Sequence, residues 1–130
     1  MKRVVTALAL VAGATFAPGT AHAASCGGFN ALVLNTGAQV TQLQTRSVSC
    51  GAARNTATAW LRGLSRRDAF VDCAPSSGAP SATCAIGHFS CRATPIRGSQ
   101  GNTMRCHSGR RTVSWTTRFN GNAGPDWEEL

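Results

Sequence analysis

The chain reads as an α+β domain: a small antiparallel sheet with one helix packed on it, stapled by disulfides. Three observations predict this. One stretch, 50–64, carries apolar side chains at helical spacing. Three later stretches, 88–93, 103–107 and 112–119, alternate apolar and polar residues instead. Six cysteines, an even number, all lie beyond an N-terminal leader.

In the helical stretch, Cys50, Ala53, Ala57, Trp60, Leu61 and Leu64 fall on one stripe, and Arg54, Thr58 and Arg62 on the opposite one. Ser49 is placed to cap the first turn, and Gly63 offers a stop. A helix this short is marginal alone, so its stripe must be packed or pinned. Cys50, at its first position, can pin it.

Residues 1–23 form a signal peptide. Lys2 and Arg3 are its charged start, 4–17 its apolar run, and Ala21-His22-Ala23 a small-x-small cleavage site, giving cleavage after Ala23. The run is too short for a comfortable membrane span and is broken by Pro18-Gly19. No second such run follows, so the expected product is secreted, with no membrane span. Residues 24–120 form the single secreted, disulfide-rich domain, and 121–130 a flexible acidic tail that serves as a docking peptide, stays solvated or folds onto the basic body.

Within the domain, 29–34 is apolar and β-prone, Asn35-Thr36-Gly37 signals a turn, and 40–48 is an extended polar strand, together a first hairpin. The helix follows. Between Cys73 and Cys84 the composition is that of a loop. In 88–93, Phe89, Cys91 and Ala93 share one face, with His88, Ser90 and Arg92 on the other. In 103–107, Met104 and Cys106 oppose Arg105 and His107. In 112–119, Val113, Trp115, Thr117 and Phe119 face inward, and Arg118 outward. The sum is three to five strands, with Trp60 and Trp115 as core partners.

An even set of cysteines in a small exported chain is a disulfide framework before it is anything else. No Cys-x-x-Cys occurs, which disfavours zinc, and no metal or cofactor is expected. Cys73 and Cys84 bracket so plain a loop that they are expected to bond each other, a staple contributing about 2–4 kcal/mol. Cys91 and Cys106 point inward toward the helix, so one of them is expected to bond Cys50, leaving the other for Cys26. Spacing alone does not choose among the possible pairings.

Removing Lys2 and Arg3 leaves eleven basic residues, all arginine, against five acids, a net charge of +6. Asp126, Glu128 and Glu129 lie in the last five residues, so the body is more basic than the total. Such a body associates with anionic polymers outside the cell, although charge alone also serves solubility.

The candidate binding residues are Arg92, Arg105, Arg118, His88 and His107, on the polar face of the sheet. If Cys91 and Cys106 stand opposite each other, so do Arg92 and Arg105. Like charges across a ladder are unfavourable. Either the register is offset or an anion sits between them. Two histidines beside arginines could also make a ribonuclease-like acid–base pair, but no carboxylate lies nearby in sequence to orient either ring. Other chemistry is weaker still. The even cysteine count leaves no spare thiol nucleophile. No Gly-x-Ser-x-Gly or phosphate-loop pattern occurs. Asp68 and Asp72 do not make a convincing glycosidase pair. No catalytic residues are assigned.

Several short motifs follow one order: Cys26-Gly27, then Val48-Ser49-Cys50-x-x-Ala53, an aromatic in the helix, Gly87-x-Phe89-x-Cys91, Arg105-Cys106-x-x-Gly109 and Val113-x-Trp115. In this combination, from about Cys26 to Phe119, the chain resembles a widespread family of small secreted, cysteine-containing proteins of high-GC Gram-positive bacteria, most of them uncharacterised. The resemblance implies secretion and fold but no catalytic residues. Against the family's four-cysteine pattern, Cys73 and Cys84 look like an added pair. Trp115 stands where the family often has phenylalanine. The expectation is a secreted monomer without enzymatic activity, whose partner is an anionic cell-envelope polymer or an extracellular protein. Inhibition of a secreted enzyme through the 73–84 loop is the alternative.

Overall fold

The computed structural model describes residues 22–66, 73, 81–120, 124 and 126–130. The signal-peptide residues up to 21 and the interior of the 73–84 loop, residues 74–80, lie outside them. So do Asp68 and Asp72. Among the described residues, one eight-stranded sheet carries a single helix. The strands are β1 (Ala23–Ser25), β2 (Phe29–Val33), β3 (Thr36–Arg46), β4 (Ala82–Ile86), β5 (Phe89–Pro95), β6 (Gly101–Ser108), β7 (Arg111–Asn120) and β8 (Glu128–Glu129), with α1 (Cys50–Arg66) between β3 and β4. Their order is β4-β5-β6-β7-β3-β2-β8, and β1 pairs the end of β3 beyond β2. All pairings are antiparallel except β2 with β8.

The α+β expectation holds, but the sheet is large rather than small. Three strands were not legible. β1 and β8 are two or three residues long, and β4, Ala-Thr-Cys-Ala-Ile, has apolar residues on both faces and so shows no alternation. Each is a strand because a long neighbour offers it a ladder, not because of its own pattern. The tail, expected to be loose, supplies β8: Glu128 and Glu129 run parallel to Ala31 and Leu32, and Leu130 N–H donates to the Leu32 carbonyl at 3.0 Å.

Tight turns set the registers. The β2–β3 hairpin turns at Leu34-Asn35, both at positive φ, one residue earlier than the sequence suggested. Such a pair of left-handed residues matches the right-handed twist of the strands. Gly37 is therefore not a turn glycine. It lies inside β3, where an added Cβ would collide with the ring of Trp127 and with Asn120. The β4–β5 and β6–β7 turns each open on a glycine at positive φ, Gly87 and Gly109.

The helix starts as its cap residue dictates: Ala52 N–H donates to Ser49 Oγ at 3.1 Å. Gly63 does not stop it, and it continues to Arg66. Ala53, Ala57, Trp60 and Leu61 are buried against the inner face of the sheet. The helix touches β2 and β3 toward one end of the sheet and β4 at the other, so the sheet curls around it. Trp60 meets Trp115 at a centroid distance of 6.2 Å and Phe119 at 6.4 Å. The expected tryptophan pair is thus the centre of the core.

The disulfides are Cys26–Cys50, Cys73–Cys84 and Cys91–Cys106. The Cys73–Cys84 staple is as expected. The bond from Cys50 to Cys91 or Cys106 is not. The start of the helix lies over the break between β1 and β2, where Cys26 N–H donates to the Leu43 carbonyl at 2.7 Å, and the Cys26–Cys50 Cα distance is 5.4 Å. Cys91 and Cys106 stand directly opposite each other on β5 and β6 and bond across the ladder.

Candidate polyanion-binding face

One face of the sheet packs on the helix; the other is polar. Strand registers lay the outer face out in rows across the strands. Ser90, His107, Thr112 and Arg46 form one row, and Arg92, Arg105, Ser114 and Gln44 the next. Then come Thr94, Thr103, Thr116 and Thr41, and after them Gly101, Arg118 and Gln39. Rows are about 7 Å apart, since alternate residues of a strand share a face.

Arg92 and Arg105 are therefore on one rung, side by side and exposed. His107 follows Arg105 by one row and is exposed too. Arg118 is exposed on the same face but two rows from Arg105, on the order of 14 Å away. His88 departs from expectation. It is the second residue of the β4–β5 turn, not a strand residue, and sits exposed at the end of the sheet where the β6–β7 turn also lies. The structure thus brings Arg92, Arg105 and His107 together, leaves Arg118 further along, and puts His88 at the rim.

Sequence reasoning missed Arg46. It reaches this face because β3 carries a bulge between Thr41 and Gln44, with Gln42 at positive φ, which resets the alternation beyond it. Nothing in the sequence marks that bulge. Trp127, whose acidic tail the sequence left as a docking peptide, a solvated end or a segment folded onto the body, reaches this face as well. Gly37 and Asn120 occupy outer positions opposite each other, and the Trp127 ring lies against both, so the indole rests on the outer face beyond Arg118. Asp126, Glu128 and Glu129, all exposed, accompany it to that end.

The face is not flat around Arg105. A depression between β4, β5 and β6 is lined by Thr83, Ser90, Arg92, Arg105 and His107. A second, on the other flank of β6, is lined by Arg105, His107, Thr112 and Ser114. No Phe, Tyr or Trp side chain lines either one. Among the described residues no group of three His, Cys, Asp or Glu could hold a metal ion. No helix among them is long and apolar enough to cross a membrane.

Fold and face together define a class: a three-disulfide, mostly antiparallel sheet curled around one helix, with an arginine-bearing outer surface. Beyond that class, no family model, no curated protein and no solved structure matches the chain.

Proposed function

We propose that this is a small secreted, disulfide-stabilised, non-enzymatic protein that binds an anionic polymer of the cell envelope, as a monomer, through the outer face of its sheet. The observation that carries the reading is the rung of Arg92 and Arg105. The register is not offset, so two like charges stand opposite each other, an arrangement that an anion relieves. Arg46 and Arg118 extend the positive surface along and across the strands, and His107 adds an imidazole one row from Arg105. The acids among the described residues, Asp126, Glu128 and Glu129, are confined to the tail. Export is supported by the leader sequence and by three disulfides. A binding role rather than catalysis is supported by the lack of any carboxylate on the strands beside His107 and by the displacement of His88 to a turn.

The test is retention of the mature protein on an anionic matrix. Elution should require raised salt, and the slope of log affinity against log salt should fall by about one for each of Arg92, Arg105 and Arg118 replaced by alanine. Retention that ignores all three replacements would refute the reading. Turnover of RNA abolished by His107→Ala would replace it with an enzyme.

A further inference from the structure

One of the two depressions beside β6 holds both arginines of the rung, an arrangement that general basicity does not require. We propose that the depression between β4, β5 and β6 is a phosphodiester subsite, and that the polymer recognised is a base-free polyol phosphate. This rests on the polyanion reading above and narrows it to one chemistry.

Four observations converge. First, the arginine rung is locked. Cys91 and Cys106 bond each other directly opposite, and Arg92 and Arg105 are their immediate neighbours in sequence, on the next rung and the other face. The strands cannot slip to separate the charges, so the site is built with its repulsion already in place. Second, the donors come from several directions. Two guanidinium groups on adjacent strands and the hydroxyls of Ser90 and Thr83 line one hollow. An sp² carboxylate oxygen prefers donors near its own plane, whereas a tetrahedral phosphate accepts them out of any single plane.

Third, the hydrogen-bond donors repeat. His107 lies one row, about 7 Å, along β6 from Arg105. Arg46 lies in the row of His107, two strands away, on the order of 10 Å. A flexible chain with regularly spaced phosphates can meet both. Fourth, no Phe, Tyr or Trp side chain lines the hollow, and the Trp127 indole sits by Asn120, six residues along β7 from the rung of Arg92 and Arg105, or about 20 Å. Single-stranded nucleic acids are held by runs of large aromatic side chains beside the charge, and here His107 is the one ring at hand.

The experiment compares four ligands of equal charge number at one salt concentration, by calorimetry on the mature, oxidised protein. They are poly(glycerol phosphate), an abasic deoxyribose-phosphate oligomer, an oligothymidylate and oligogalacturonate. Poly(glycerol phosphate) and the abasic oligomer should bind within about twofold of each other, and oligogalacturonate about tenfold more weakly, as expected for the loss of one charge-assisted hydrogen-bonded contact. Arg92→Ala and Arg105→Ala should each weaken poly(glycerol phosphate) about tenfold, and Arg118→Ala about twofold. Arg92→Lys keeps the charge but not the fork and should also weaken it severalfold. All three positions are exposed, and near-ultraviolet circular dichroism checks that each variant stays folded. Oligogalacturonate bound as tightly would overturn the phosphate assignment while leaving the polyanion reading intact. Oligothymidylate bound tenfold tighter than its abasic counterpart would make the ligand a nucleic acid. Unchanged affinity in Arg92→Ala would overturn the subsite. Binding of none of the four would remove the polyanion reading itself.

Discussion

Trp115 shows how a residue's chemistry fixes its surroundings. Its side chain is 1% exposed, so the indole N–H has no water to donate to. Two residues on, along the same inward face of β7, Thr117 is fully buried and accepts that hydrogen at 3.1 Å. Alternation made Thr117 an inward residue, and an inward threonine needs such a reason. Trp60, its neighbour in the core, has no partner for its own indole N–H. Thr117→Val keeps the shape and removes the acceptor. The expected loss is about 1–3 kcal/mol of stability, measured by denaturant unfolding, because the donor left behind is buried. A loss below that range would mean the indole finds another acceptor. The same variant should leave polyanion retention unaltered, since nothing on the outer face changes.

Elements differ in how far the sequence disclosed them. The helix was legible because its stripe, its cap and its cysteine all agreed, and Ser49 caps it as read. The alternating strands were legible for the same reason: inward Cys91, Met104, Val113 and Trp115 left only one face for Arg92, Arg105 and His107. What escaped was decided by partners rather than by local pattern. The bulge that turns Arg46 outward is a property of the β3–β7 pair. The Cys26–Cys50 bond depends on where the chain re-enters beside Leu43, which no spacing reveals. The tail had three readings, a docking peptide, solvated or folded back, and β8 takes it onto the edge of β2. That docking carries Asp126, Glu128 and Glu129 to the end of the sheet where Arg118 lies. Ending the chain after Asn120 should therefore raise the salt needed for elution from an anionic matrix, because three negative charges leave the neighbourhood of the face. Gly37→Ala, whose methyl group would displace the indole, should shift elution in the same direction by a smaller amount. Identical elution of all three proteins would show that the tail does not screen this surface.

At the scale of the whole molecule, the question is what three staples do that one would not. Their sequence separations are 24, 11 and 15 residues. Loop-closure entropy grows only with the logarithm of length, so each contributes about 3 kcal/mol and the three differ by less than about 1 kcal/mol. Stability does not rank them; position does. Cys26–Cys50 ties the first turn of the helix to the break between β1 and β2, at the edge of β3. Cys91–Cys106 lies in the middle of the sheet, against the arginine rung. The double replacements Cys26→Ala/Cys50→Ala and Cys91→Ala/Cys106→Ala should each cost about 2–4 kcal/mol in denaturant unfolding. Only the second should also weaken polyanion binding. Without that bond the repulsion between Arg92 and Arg105 can spread β5 from β6, and the anion must then restore a register the disulfide had fixed beforehand. Equal losses of affinity in the two double variants would mean that the staples act through general stability alone. A loss confined to the Cys91–Cys106 variant, at matched stability, would tie the covalent framework on the inner face to recognition on the outer one.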